Sequence, residues 1–210
     1  MTKICPQICS DVIFVGHIQK DTKYDKGIRL ILISEAMPHN LNDYFDSKGI
    51  PQFIANTNFF FNKMGFHYKT YEDYLKNGIY LTTALKCQKK DYLVKSETIE
   101  KCSYILEQEL NRFKNVKAIL LMGDFSIKAI NYIWKRKFNK RVIPAGSTYK
   151  LRVHDYECDG IQFLPSYTQT GDSFGIEKSK LRMIEEDIRK AIKIVQKTSK
   201  VQRYLTAHSA

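Results

Sequence analysis

Four of the five cysteines in this 210-residue chain are spaced as a ligand set could be. Cys5 and Cys9 form a close pair near the N-terminus, Cys87 stands alone, and Cys102 follows after fourteen intervening residues. Four thiolates can hold a 4Fe–4S cluster or a tetrahedral zinc ion, provided local geometry fixes part of the set. Cys158 stands apart and reads as a small buried hydrophobe. Cys102 also falls on an apolar helix stripe, as a core cysteine would. Spacing alone therefore leaves metal binding and core packing both open.

The second chemical feature is basic. Residues 128–141 contain six Lys or Arg, among them Lys135 and Arg136, and no acid, with Tyr132, Trp134 and Phe138 interleaved. Cations bind phosphates and aromatic faces stack on bases, so this run suits nucleic acid. A solvated helix face is the plainer alternative. Lys86, Lys89, Lys90 and Lys95 form another basic group.

Four short apolar runs, 29–33, 79–83, 117–122 and 160–164, read as buried strands. Segments 12–15 and 148–153 are candidates for edge or hairpin strands. Helical spacing covers 53–64, 97–113, 124–137 and 177–195. In 97–113 the stripe is Ile99, Cys102, Leu106, Leu110 and Phe113, with Ser96 as the expected N-cap. Strands alternating with helices imply a three-layer α/β/α sandwich around a mainly parallel four-stranded sheet. In such sheets ligands bind beyond the carboxyl ends of the strands. Those ends are Ser34 to Pro38, Thr83 to Cys87, Gly123-Asp124 and Pro165-Ser166-Tyr167.

Composition frames these elements. Apolar residues make up 43% and charged residues 27%, which excludes a disordered, collagen-like or disulfide-knot chain. Lys and Arg total 34 against 22 Asp and Glu, a formal charge of +12, so a polyanion is the first partner to consider. No run approaches the roughly 18 apolar residues of a membrane span, and the N-terminus lacks the pattern of a signal peptide. The expectation is a cytoplasmic monomer with reduced cysteines and no membrane partner. Without internal repeats or linkers, residues 1–197 read as one domain and 198–210 as a polar, frayed tail.

Five segments occur in a telling order: ILISEAMP (31–38), GIPQF (49–53), IYLTTALKC (79–87), Cys102 followed by ILEQELNRFKNVKAILLMGDFSIKAI (105–130), and FLPSYTQTGDSFGIEKSKLRMIEEDIRKAI (163–192). Over about residues 5–195 this set resembles the iron–sulfur branch (family 4) of the uracil-DNA glycosylase superfamily. The resemblance implies a structural 4Fe–4S cluster on Cys5, Cys9, Cys87 and Cys102, although the Cys5–Cys9 gap is one residue longer than usual. It also implies extrusion of a base from DNA and hydrolysis of its N-glycosidic bond. Phe53 would stack on the base, Glu35 would orient or activate water, and the backbone at Ala36 and Met37 would bind a base oxygen.

Two positions depart from that pattern. Thr83 stands where the branch has its uracil-reading Asn, and a hydroxyl does not reproduce an amide's paired donor and acceptor. Leu164 stands where the branch has the His that stabilises the leaving base, and it offers no donor. Ser34 replaces the opening Gly, and Pro38 is displaced by one position. Ser166, Tyr167 and Thr168 beside Leu164, and Asn56 or Asn58 near Phe53, are the candidate substitutes. The resemblance therefore predicts a DNA-repair glycosylase for a deaminated base. The alternative is an iron–sulfur nucleic-acid-binding protein that kept the fold without the chemistry. A hydrolase of small substrates lacks a nucleophile motif, since no Gly-x-Ser-x-Gly occurs.

Overall fold

The computed structural model describes Cys5 and residues 9–15, 22–169 and 177–207, with side chains described through residue 197. Residues 170–176, inside the last of the five segments above, lie outside the described residues. In chain order the elements are β1 (Val12–Ile13), β2 (Leu30–Ser34), α1 (Gln52–Lys63), α2 (Tyr71–Lys76), β3 (Ile79–Thr83), β4 (Gln88–Lys89), α3 (Ser96–Leu110), β5 (Ala118–Met122), α4 (Asp124–Phe138), α5 (Thr148–Leu151), β6 (Tyr156–Cys158), β7 (Ile161–Ser166) and α6 (Lys178–Ala207).

The main sheet runs β3-β2-β5-β7-β6. Its first four strands are parallel, and β6 pairs antiparallel with β7 at the edge. Every residue of β2, β3 and β5 is buried, which explains their unbroken apolar character. Alternate side chains serve two cores. Ile31, Ile33, Tyr80, Ile119 and Leu121 pack against Ile99 and Leu106 of α3 and Ile130 and Ile133 of α4. Leu30, Leu32, Leu81, Leu120 and Leu164 pack against Phe60 and Phe61 of α1 and Ile184 and Ile188 of α6. This is the α/β/α sandwich that the sequence predicts.

Four details differ from the expectation. The sheet has five strands, because β6 and β7 form a hairpin through Asp159 and Gly160, whose φ values are +56° and +70°. Asp-Gly suits such a turn, in which both central residues take positive φ. The segment 148–153 is not a strand: the Ser147 carbonyl accepts from the amides of Lys150 and Leu151 and starts α5. Residues 12–13 pair only with β4, apart from the main sheet. Finally, α6 continues through Ala207 instead of fraying after residue 197, with no Gly or Pro beyond Gly175 to stop it.

Candidate metal centre and strand-end site

Cys5, Cys9, Cys87 and Cys102 line one cavity of about 190 Å³, together with Val12 and Phe14. Each arrives by a different local device. The β1–β4 ladder sets Val12 opposite Lys89 and Ile13 opposite Gln88, which carries the N-terminal segment past Cys87. The amide of Val15 donates to the Cys87 sulfur. Cys102 is buried on the second turn of α3, so it satisfies the helix stripe and the cavity together.

Asp11 ties the two halves. Its carboxylate accepts from the Lys95 amide at 2.7 Å and from Thr98 Oγ1 at 2.7 Å, at the start of α3. Burial opposes its charge, yet these bonds hold the group below the usual carboxylate range. Ser96, the expected N-cap, is instead the first helical residue, and no side chain of the N-cap residue Lys95 bonds the helix. Asp11 supplies that bonding from eighty-odd residues away in the chain. Lys90 Nζ donates to the Ser10 carbonyl at 2.7 Å, and Lys95 Nζ reaches Ser10 Oγ at 3.1 Å. These lysines hold the cysteine-bearing segment.

The four cysteines are of the donor type that the implied cluster takes, and they line one cavity. None of the five cysteines is in a disulfide. The Cys102 thiol donates to Cys87, which lowers the Cys87 pKa and, with burial, raises that of Cys102. Among the described residues no three His, Cys, Asp or Glu side chains form a ready ligand group for a single ion. The four cysteines line a space whose volume far exceeds the 10–15 Å³ or so that one water needs. Lys90 and Lys101 also line it and suit an anionic occupant. Cys158 lies elsewhere, on β6 in the core, as expected.

The strand-end rim is assembled too, but most of its expected working atoms are already engaged. Glu35 follows β2 directly and lies against Gly123, where a Cβ would come within 2.6 Å of its side chain. Its Oε1 accepts from the Phe125 amide at 3.4 Å, in the first turn of α4, and its Oε2 is 3.7 Å from Lys89 Nζ. Glu35 thus caps α4 while its side chain stays 22% exposed. Ala36 and Met37 are buried, and the Met37 amide donates to the Cys87 carbonyl at 3.4 Å. Gln88 Nε2 pins the same loop through the Pro38 and His39 carbonyls, both at 2.7 Å.

Thr83 is wholly buried, and its hydroxyl donates to the Leu85 carbonyl at 2.9 Å. Ser166 Oγ donates to Asp187 Oδ2 at 2.7 Å. Arg152 holds that carboxylate from the other side, at 2.8 Å from Oδ1 and 3.1 Å from Oδ2. Burial still leaves the Asp187 pKa above its usual value despite these bonds. Leu164 is buried core, and Tyr167 is half-buried with Lys180 Nζ 5.6 Å from its ring centre. Phe53 is also buried, with its ring 5.3 Å from that of Phe45, so the expected stacking face is packed into an aromatic cluster.

Two of the basic residues must be reassigned. Lys86, expected to face nucleic acid, is buried: its Nζ donates to Thr82 Oγ1 at 2.6 Å and forms an ion pair with Glu109. Glu109 also accepts from the Tyr80 hydroxyl and from Thr82 Oγ1, the latter at 2.8 Å. Arg136 turns inward as well, holding Glu107 Oε2 at 2.7 Å and Ser103 Oγ at 2.9 Å, and it clamps α4 to α3. Lys89 and Lys135 remain at the surface, with Lys135 exposed.

The buried polar atoms with no hydrogen-bond partner among the described residues include Ser34 Oγ at the end of β2, Gln169 Oε1 just after β7 and, in the core, Trp134 Nε1 on α4. The Gln169 amide donates to Thr57 Oγ1 at 3.0 Å. Gln169 was not a sequence candidate, because nothing in its context marked it as buried. No protein-family model matches the chain, and no curated protein matches it.

Proposed function

We propose that this chain is an iron–sulfur DNA glycosylase that takes a deaminated base out of DNA and hydrolyses its N-glycosidic bond. One observation carries this: four cysteines spread from residue 5 to residue 102 line a single cavity. They are the four that the resemblance singles out, and Cys158 is not among them. Cys5, Cys9, Cys87 and Cys102 would hold a 4Fe–4S cluster, which when bound joins the N-terminal segment, the β3–β4 connection and α3 as a structural cross-link.

At the rim, Glu35 is the group for orienting water, since it is fixed between the α4 amide and Lys89 yet partly exposed. The orphan atoms of Ser34 and Gln169 support a polar ligand nearby, because unpaired buried polar groups are rare. The net charge of +12 suits a DNA partner.

A non-catalytic DNA-binding role is the alternative, and it is favoured by the hydroxyls of Thr83 and Ser166, which already donate to protein acceptors. Oligonucleotides carrying uracil, hypoxanthine or xanthine, single- and double-stranded, separate the two after alkaline cleavage. Strand scission by wild type that falls at least ~10²-fold in Glu35→Gln supports the enzyme. Tight, salt-dependent binding with no abasic product on any substrate supports the binder. A colourless protein with stoichiometric zinc would overturn the cluster.

A further inference from the structure

The basic run 128–141 divides into residues that face inward and residues that face a cavity the glycosylase chemistry does not use. Arg136 and Lys137 both contact Glu107. By contrast Lys128, Lys135 and Arg141 line a cavity of about 340 Å³ between α4 and the chain that follows it. Lys128, Tyr132 and Lys135 are spaced four and three residues apart, so they share one face of α4.

The opposite wall is built, not incidental. Asn131 Oδ1 accepts from the amides of Val142 and Ile143, both at 3.0 Å, and its Nδ2 donates to the Ile143 carbonyl at 2.8 Å. This three-bond clasp fixes the returning chain, buries Ile143 and leaves Arg141 exposed at the cavity edge. Gly146 closes the far side against Leu151, whose Cδ2 lies 3.2 Å from where a Cβ would stand.

The lining has a clear polarity. Its three cations face one carboxylate, Asp124, which pairs with Lys128 at 3.3 Å. Neither Lys135 nor Arg141 has an acidic partner among the described residues. Tyr132, Pro144 and Leu151 add aromatic and apolar surface. The volume falls at the lower end of small-ligand sites, about 300–1,000 Å³. It exceeds what a bare phosphate fills.

We propose that this cavity binds a nucleotide through its phosphate, with Lys135 and Arg141 holding the phosphate and Tyr132 and Pro144 lining the place of the sugar or base. The nucleotide is either free or the end of a strand, which share that chemistry. The site does not rest on base release, because a chain without glycosylase activity would keep it. Charged contacts of this kind commonly contribute enough for about a tenfold change in affinity.

The test is fluorescence anisotropy with a short 3′-labelled DNA strand bearing either a 5′-phosphate or a 5′-hydroxyl, displaced by adenosine monophosphate or inorganic phosphate. The phosphorylated strand is expected to bind about tenfold tighter. The double variant Lys135→Ala, Arg141→Ala should abolish that preference while leaving melting temperature and visible absorption unchanged. Lys190→Ala, at a cation that pairs with Asp155 and does not line the cavity, should keep it. Stronger displacement by the mononucleotide than by the phosphorylated strand identifies a free nucleotide, and the reverse identifies a strand end. The proposal falls if both strands bind equally and the mononucleotide displaces neither. It also falls if inorganic phosphate competes as well as the nucleotide, or if the preference survives the double variant.

Discussion

The cysteine pole and the strand-end rim share the stretch from Thr83 to Cys87, yet they differ in what their reactive atoms are doing. At the pole, four cysteines from three parts of the chain line a common cavity. At the rim, the hydroxyls of Thr83 and Ser166 are spent on Leu85 and Asp187, and the ring of Phe53 is packed against Phe45. Ligands for a cofactor need only converge, and convergence follows from topology. Groups that act on a substrate must also keep a free atom, and that depends on neighbours distant in the chain.

The largest expected effect breaks the pole. On the proposed cluster the purified protein should carry iron and absorb broadly in the visible; Cys102→Ser should abolish both, whereas Cys158→Ser should retain them, as read by iron assay and spectrum. Equal loss in the two variants would reduce the pole to ordinary core packing.

The next concerns the buried pair behind the pole. Lys86 and Glu109 side chains are only 4% and 1% exposed, so Lys86→Met should cost about 3–5 kcal/mol in urea unfolding by leaving a buried charge unpaired. Adding Glu109→Leu should restore only part of that loss, because it leaves the buried Tyr80 and Thr82 hydroxyls without their acceptor. A Lys86→Met protein of unchanged stability but weakened DNA affinity would return this lysine to the nucleic-acid surface.

Ser166→Ala probes the rim directly. Losing a hydrogen bond to buried Asp187 should cost about 1–3 kcal/mol. If stability is instead unchanged while base release drops, Ser166 serves the reaction and the contrast between the two regions weakens.

The smallest effect returns to the pole. The Asp11 pKa lies below its ordinary value of 3.8 in the folded chain, so its bonds stabilise the fold above that pH and are lost as pH falls through the folded value. Because the group is only part-buried and solvent screens it, Asp11→Ala should cost no more than about 1 kcal/mol at neutral pH and should flatten the acid limb of the stability curve.

Much of the fold was legible because its signals are local. Strands β2, β3 and β5 are continuous apolar runs, and the stripe of α3 repeats every three or four residues. The β6–β7 hairpin carried its Asp-Gly signal as well, but the strand before it, Tyr-Glu-Cys, is short and only partly apolar. That Cys5, Cys9, Cys87 and Cys102 belong together was legible only through the ordered segments, because spacing alone left core packing open. The role of Lys86 was not legible, because Glu109 and Thr82, which make its burial tolerable, lie elsewhere in the sequence. Arg136 read as part of the nucleic-acid surface for the same reason: its partners Glu107 and Ser103 belong to the preceding helix. A run of cations reads as one surface until the acids opposite some of them are known.

Gly123 has a constraint written into its geometry. With φ of +96° and the Glu35 side chain 2.6 Å from the place of a Cβ, any larger residue there must evict the carboxylate that caps α4. Two positions eighty-eight residues apart in the sequence therefore form one physical unit. Trimming Glu35 to a smaller side chain would clear the space beside position 123, but the φ of +96° would still favour glycine there. A larger residue at 123 would leave α4 to be capped by other means.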